Sequence, residues 1–159
     1  MNRLHVGMLM AVLALVPVTA MANEQIEEHS PDHEFHPNVI AVFGGVTSED
    51  RRDRAFTFGV EYERRLTRSF GMGVIAERAF GDLDFWVFAL PLAFHHGPWR
   101  LFAAPGVEDS DHLGSEFLFR VGVEYIIDMD GYEIVPQFDI DFVDGEQVFV
   151  LGISIARGF

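Results

Sequence analysis

The chain has 159 residues, a formal net charge of −14 at pH 7, and 49% hydrophobic and 13% aromatic residues. It contains no cysteine and no lysine, so disulfide bonds and metal sites built on thiolates are excluded. The acidic balance disfavours binding to nucleic acid, because the phosphate backbone is recognised by basic side chains.

The first 22 residues have the layout of a secretory signal peptide. Arg3 precedes an apolar stretch, Val6–Val18, and Ala20 and Ala22 are the small residues of a cleavage site. The stretch is shorter than the roughly 20 apolar residues of a membrane-spanning helix. We therefore expect cleavage before Asn23, with a retained anchor helix as the alternative. The mature chain then has 137 residues (159 minus 22), which suits one domain.

Residues 23–36, NEQIEEHSPDHEFH, carry many acids and a proline without any apolar period. This composition predicts a solvated periplasmic tail ahead of the fold. A weak metal site formed by His29, His33 and His36 with Asp32 and Glu34 is the alternative. Their spacing matches no fixed ligand geometry, so we favour the tail.

From residue 37 onward the hydrophobic period is two, which is typical of strands with two different faces. In RAFTFGVEY, for example, Phe56, Phe58, Val60 and Tyr62 alternate with smaller or polar residues. Six later runs alternate in the same way, and NVIAVFGG at the start brings the count to eight predicted strands. The six runs carry large residues at 70–74, 86–94, 99–103, 117–125, 132–142 and 149–159.

Short turn signals separate these runs, at 69–71, 81, 96–98, 108–115, 130 and 144. Connections of this length join antiparallel neighbours. The sequence therefore predicts an all-β domain over residues 37–159, an eight-stranded antiparallel up-and-down barrel that closes to remove its edge strands.

The two faces of the predicted barrel differ in size and polarity. One face carries more than thirty large apolar side chains, and an eight-stranded barrel has no room for them inside. The other face offers glycine and alanine interleaved with charged residues. Large side chains outside and small or charged ones inside predict a transmembrane barrel in lipid, rather than a soluble periplasmic calycin-like binder.

Aromatic residues lie at one set of strand ends, as expected of a membrane-interface girdle: Tyr62, Phe94, Trp99, Tyr125, Tyr132 and Phe159. With the signal peptide and the eight alternating strands, the chain resembles the small outer-membrane β-barrels of Gram-negative bacteria, the OmpA, OmpX and OmpW-like group. The resemblance implies an outer-membrane location, contact with outer-membrane lipids and lipopolysaccharide, and recognition of Phe159 by the barrel-assembly machinery.

The inward face is strongly acidic and defines the candidate site. If Asp130 and Gly131 form a two-residue turn, paired residues across it sum to 261, which sets Arg120 opposite Asp141 with Asp139 on the diagonal. A register two residues shorter sets Arg120 opposite Asp139. Both registers predict a lumenal charge network, whose members we take to be Arg100, Arg120, Glu61, Glu77, Glu124, Asp139 and Asp141.

These features favour a non-catalytic structural or interaction protein without a cofactor. A narrow cation-favouring pore is the second interpretation, because rings of acids select cations, although Ile75, Phe102, Leu118 and Ile126 face inward and would plug it. A lipid A-modifying enzyme is the third. It lacks support, because Ser154 and His95 both face inward and no nucleophile accompanies the HHGP turn.

The outer loops are predicted to be short. Arg51, Arg52 and Arg54 are candidates for lipopolysaccharide phosphates. A second cluster is a candidate for a bridging divalent cation, although it lacks the ligand order of a calcium loop: Glu108, Asp109, Asp111 and Glu116. Solvated loop charges are the simpler interpretation of both.

Overall fold

The computed structural model describes residues 35–49, 53–81, 83–110 and 114–159. The predicted signal peptide and residues 23–34 of the predicted tail lie outside these ranges. The described chain contains ten strand segments: β1 (Asn38–Glu49), β2 (Asp53–Arg65), β3 (Phe70–Gly81), β4 (Phe85–Ala89), β5 (Leu92–His96), β6 (Trp99–Ser110), β7 (Gly114–Tyr125), β8 (Ile127–Met129), β9 (Tyr132–Val143) and β10 (Glu146–Gly158).

The ten segments make eight barrel strands. β4 and β5 are two parts of one strand, since both lie between β3 and β6, and β7 and β8 both pair with β9. Every pairing is antiparallel, and β10 pairs with β1 to close the sheet. The predicted eight-stranded up-and-down barrel is confirmed. Within the described ranges, no helix is long and apolar enough to span a membrane.

The stagger of the barrel follows from its register. The path of paired residues that starts at Asn38 passes once around the wall and returns to β1 at Ser48, ten residues further on (48 minus 38). A stagger of this kind goes with strands tilted by roughly 35–45°. One consequence is that a lumenal side chain meets residues of strands that are not its neighbours in the sheet.

The two faces are oriented as the alternation predicts. Large apolar side chains point outward, such as Phe56 and Leu151, which are 59% and 64% exposed. Small and charged side chains face the lumen. This arrangement suits lipid as the outer solvent and is the opposite of what a soluble calycin requires. The chain is therefore a transmembrane β-barrel.

The barrel has two rims. The terminal rim carries residue 159 and the turns at 66–69, 97–98 and 130–131, and the loop rim carries the other connections. At the terminal rim, the rings of Trp99 and Tyr125 meet edge to face at 4.8 Å. The Tyr62 hydroxyl donates to Asn38 Oδ1 at 2.9 Å. These aromatic residues of the terminal rim thus form contacts within the wall.

Several predicted turns are shorter in the structure. The acidic stretch 108–115 was expected to be a turn, but β6 continues to Ser110 and β7 begins at Gly114, with Glu108 opposite Glu116. Polar composition suggested a loop, whereas the ladder simply continues beyond the apolar wall, where polar side chains are solvated. The hairpin at 144–145 has Asp144 at φ 45° and Gly145 at φ 85°, as a two-residue turn with a right-handed twist requires.

Candidate functional site in the barrel lumen

Two arginines organise the lumen, and the first is Arg120 on β7, which is 1% exposed. Its Nε and Nη2 donate to the two carboxylate oxygens of Asp141 at 2.6 and 2.8 Å. Its Nη1 donates to Glu77 Oε2 at 2.7 Å from the far side of the lumen. Asp141 lies directly opposite Arg120 in the ladder, which is the first of the two registers that the sequence allows. The fork of the guanidinium group is thus engaged by two carboxylates.

Asp139 lies beside this pair but does not hydrogen-bond to Arg120. It is fully buried, and its Oδ2 accepts from Gln137 Nε2 at 3.1 Å, while Gln137 Oε1 accepts from Ser154 Oγ at 2.8 Å. No described residue donates a hydrogen bond to Asp139 Oδ1. The carboxylate rests against Gly122, where a Cβ atom would come within 2.3 Å of Oδ1. We call Arg120, Glu77, Asp141, Asp139, Gln137 and Ser154 the Arg120 cluster.

The second arginine, Arg100 on β6, lies nearer the terminal rim. Its Nη1 donates to Glu124 Oε1 at 2.5 Å, its Nη2 donates to Glu61, and its Nε lies 2.7 Å from Glu63 Oε2. The pairing with Glu124 follows from the ladder, since the two residues are opposite each other. Glu61 and Glu63 belong to β2 and reach Arg100 across the lumen.

Further charged groups connect Arg100 to the terminal rim. His95 Nε2 lies 2.7 Å from Glu63 Oε1. Arg65 Nε lies 3.8 Å from Glu63 Oε1, and Arg65 Nη2 lies 3.9 Å from Glu133 Oε1. A cavity of about 30 Å³ opens here, with room for little more than one water molecule. We call these residues the Arg100 cluster: Arg100, Glu61, Glu63, Glu124, His95, Arg65 and Glu133.

An apolar layer lies between the two arginines. The polar contacts of Gln137 and Ser154 continue past this layer, since Gln137 lies opposite Glu124 in the ladder and Ser154 lines the small cavity. Phe102 lies two residues from Arg100 along β6, and its ring fills the space above Gly122. The Arg100 guanidinium packs over this ring, with its Cζ atom 4.9 Å from the ring centroid. Phe43 fills the space above Gly152 on the opposite wall in the same way. Both rings need glycine beneath them, because a Cβ atom at either glycine would lie 2.2–2.3 Å from a ring carbon.

Both clusters hold more acids than bases. Three carboxylates surround one guanidinium in the Arg120 cluster, and four accompany two guanidinium groups and an imidazole in the Arg100 cluster. Such sites can bind charge and lock neighbouring strands together. Ser154 hydrogen-bonds to Gln137 and His95 to Glu63, so these two side chains are not arranged as a nucleophile–base pair. No set of acids and histidines within the described residues is arranged to hold a metal ion.

All seven residues assigned to the network from the sequence lie in one cluster or the other. The assignment from the sequence left out the other six members of the clusters: Glu63, Glu133, His95, Arg65, Gln137 and Ser154. Each acts through a side chain whose partner it meets only in the folded lumen. The signal available in the sequence was their inward phase and nothing more.

The remaining predicted sites lie at the two rims. Phe159 is exposed, and its backbone exchanges hydrogen bonds with Asn38. Arg54 is exposed on β2, and Asp109 accepts a hydrogen bond from Ser115. Glu108 and Glu116 lie opposite each other at the end of the ladder between β6 and β7. The other loop candidates lie outside the described residues: Arg51, Arg52 and Asp111.

No protein-family model and no curated protein matches the chain. Solved structures do resemble it. The N-terminal β-barrel domain of Pseudomonas aeruginosa OprF is 16% identical, with a TM-score of 0.56 over 78% of this chain and 98% of that one. This chain has the fold of a small outer-membrane β-barrel. The Yersinia pestis outer membrane protein Ail shares that fold, at 12% identity and a TM-score of 0.50 over 79% of this chain and all of the other. The designed barrel TMB2.3 is 13% identical, with a TM-score of 0.53 over 79% and 98%. At these identities the likeness extends to the fold alone.

Proposed function

We propose that this small barrel is an integral, non-catalytic protein of the bacterial outer membrane with a structural or interaction role, and that its lumen does not conduct. The observation that carries the proposal is the filling of the lumen by two buried charge clusters with an aromatic layer between their arginines. The large buried side chains support strand packing and leave no room for a solute.

Closure of the lumen is supported at three levels. Arg120 and Leu118 are almost completely buried toward the loop rim. Phe43 and Phe102 occupy the middle over glycines. The cavity at the terminal rim has a volume of only about 30 Å³. An ion that crossed this lumen would have to displace both arginine clusters, each of which is held by charge-assisted hydrogen bonds.

Location and assembly follow from features at the two ends of the chain. The predicted signal peptide provides export, and the outward apolar face suits the outer membrane. Phe159, exposed at the terminal rim, is the proposed signal for the barrel-assembly machinery. The loop rim, where Arg54 is exposed at the start of β2, is the proposed contact with lipopolysaccharide and the surface for any protein partner.

The test is to refold residues 23–159 in detergent, confirm the barrel by its heat-modifiable migration, and record conductance in planar bilayers. We expect no discrete conductance steps from a protein that shows the migration shift. Cation-selective steps that vanish in a Glu124→Gln, Asp139→Asn double variant would overturn the proposal. That variant must keep the heat-modifiable shift for the comparison to count.

A narrow cation pore is the second candidate, and the acid excess of both clusters favours it. The two candidates predict different effects of opening the apolar layer. In a closed barrel, Phe43→Ala with Phe102→Ala is as silent as the wild type, because the two arginine clusters still block the lumen. In a native pore, conductance is present in both proteins. A matched double variant on the lipid-facing wall, Phe56→Ala with Phe58→Ala, controls for the loss of two phenylalanines.

A further inference from the structure

Two prolines lie diagonally to each other on neighbouring strands near the middle of the barrel wall. Pro91 is buried on the lumenal face and pairs with Gly73, and Pro105 is exposed on the outer face and pairs with Leu90. Pro91 separates β4 from β5, and Pro105 lies within β6. Proline has no backbone N–H, so it is normally confined to edge strands and bulges. A closed barrel has no edge strand, and two prolines in its wall therefore interrupt the ladder.

The interruption can be located bond by bond. Gly73 N donates to Pro91 O at 3.0 Å, and Leu90 N donates to Pro105 O at 2.9 Å. In an antiparallel ladder, a hydrogen-bonded pair exchanges two bonds, one in each direction. Neither proline can return its bond, so the carbonyl groups of Gly73 and Leu90 lack their strand donors. We call this the proline seam: Gly73, Leu90, Pro91 and Pro105.

A groove of about 730 Å³ lies on the outer face at the seam. Ala76 provides a small side chain beside the larger Val60 and Phe88, which are its partners on β2 and β4. Leu90 and Pro105 of the seam also line it. Large side chains cover most of the outer wall, so a depression of this size at an interrupted ladder is a distinct feature.

We propose that this groove is a binding site for one acyl chain of a bilayer lipid, held more tightly than lipid elsewhere around the barrel. The lipid-facing wall determines the class of occupant, because acyl chains are the solvent on this side. The lining is almost wholly apolar, and the volume lies within the roughly 300–1,000 Å³ of ligand clefts. A chain in the groove also covers a wall weakened by two missing hydrogen bonds.

The first test is lipid retention. Wild-type protein extracted from membranes into mild detergent is analysed by native mass spectrometry for bound phospholipid or lipopolysaccharide. Ala76→Phe places a ring in the groove, and we expect at least a fivefold fall in the lipid-bound fraction. Ile153→Phe, on the outward face of β10 and away from the groove, is the matched control and should retain lipid as the wild type does.

Equal retention by Ala76→Phe and wild type, or no retained lipid in the wild type, would overturn the proposal. The heat-modifiable shift of each variant shows that the barrel has folded. The mass of the retained lipid shows whether it is a phospholipid or lipopolysaccharide, and so distinguishes which leaflet supplies the acyl chain.

A second variant tests the seam itself. Pro105→Val restores an N–H opposite the Leu90 carbonyl at similar side-chain volume, and we expect a severalfold fall in retained lipid as the ladder closes. Retention at the wild-type level in this variant would overturn the role of the seam in forming the site. Pro136→Val on β9, a proline outside the groove, is the control for replacing a strand proline.

Discussion

The two charged clusters of the lumen are each built around one arginine, yet they differ in how closed they are. The carboxylates of Glu77 and Asp141 that hold Arg120 are 4% and 1% exposed. In the Arg100 cluster, by contrast, Glu61 and Glu133 are 14% and 20% exposed and a small cavity adjoins them. The Arg120 cluster is therefore the drier of the two.

The difference teaches which charges the fold depends on. A buried arginine that loses its carboxylates, or the reverse, leaves an uncompensated charge in a low dielectric, and the cost is highest where water cannot enter. In the Arg100 cluster, water and the neighbouring Arg65 and His95 can compensate. We therefore expect changes in the Arg120 cluster to lower the stability of the barrel more than changes in the Arg100 cluster. Four variants, taken from the largest expected effect to the smallest, test this expectation.

The largest effect is expected from Arg120→Met, which leaves three buried carboxylates without their cation. The free energy of unfolding should fall by about 3–5 kcal/mol. Denaturant unfolding of the barrel in lipid vesicles, followed by tryptophan fluorescence, measures it. Arg54→Met, an exposed arginine on β2, is the control and should change stability by less than about 0.5 kcal/mol. A loss below 1 kcal/mol for Arg120→Met would show that the cluster is not dry.

Arg100→Met should cost less, about 2 kcal/mol, because its acids are nearer water and Arg65 remains close to Glu63 and Glu133. The same vesicle assay gives the ratio of the two losses. If Arg100→Met costs as much as Arg120→Met, the proposed contrast between the clusters is wrong. The double variant Arg100→Met, Arg65→Met then shows whether Arg65 compensates for the missing Arg100. If it does, adding Arg65→Met to Arg100→Met should lower the free energy of unfolding by more than Arg65→Met does in the wild type.

The layer between the two arginines is tested by Gly122→Ala. The added methyl group meets both the Phe102 ring and Asp139, and overpacking of this kind costs about 1–3 kcal/mol. Gly44→Ala is the matched control, because a Cβ atom there meets nothing within 4 Å. Heat-modifiable migration at increasing temperature reports both variants. Equal melting of the two would mean that Phe102 can move aside freely.

Much of this architecture could be predicted from the sequence, since alternation determines which residues face inward and both registers at the Asp130–Gly131 turn set Arg120 against an aspartate. Contacts across the lumen could not. Glu77 on β3 reaches Arg120 on β7, and Glu61 on β2 reaches Arg100 on β6. Such partners depend on barrel curvature and a stagger of ten residues, which no single hairpin encodes. The division of the lumenal charges into the Arg100 and Arg120 clusters therefore depends on the stagger.

Asp139 shows a second limit of the sequence. Its diagonal position suggested a bond to Arg120, but its hydrogen bond goes to Gln137, two residues away on the same strand and face. A carboxylate such as Asp139 can accept a hydrogen bond from an inward side chain on its own strand or from one on a neighbouring strand. Which donor it accepts from depends on the lengths and directions of the side chains in the lumen. Spacing alone does not reveal that choice.

The smallest expected effect concerns this chain of polar contacts. Ser154→Ala removes the donor to Gln137 Oε1 inside the Arg120 cluster, and the loss of one buried hydrogen bond should cost about 1 kcal/mol. Ser115→Ala is the control, since its bond to Asp109 is exposed and should matter less. Because Gln137 is itself the donor to Asp139, freeing its carbonyl allows the amide to turn and abandon Asp139 as well. A loss clearly above about 1 kcal/mol would therefore mean that Ser154 holds Asp139 in place through Gln137. No loss at all would mean that water in the small cavity that Ser154 lines replaces the serine hydroxyl.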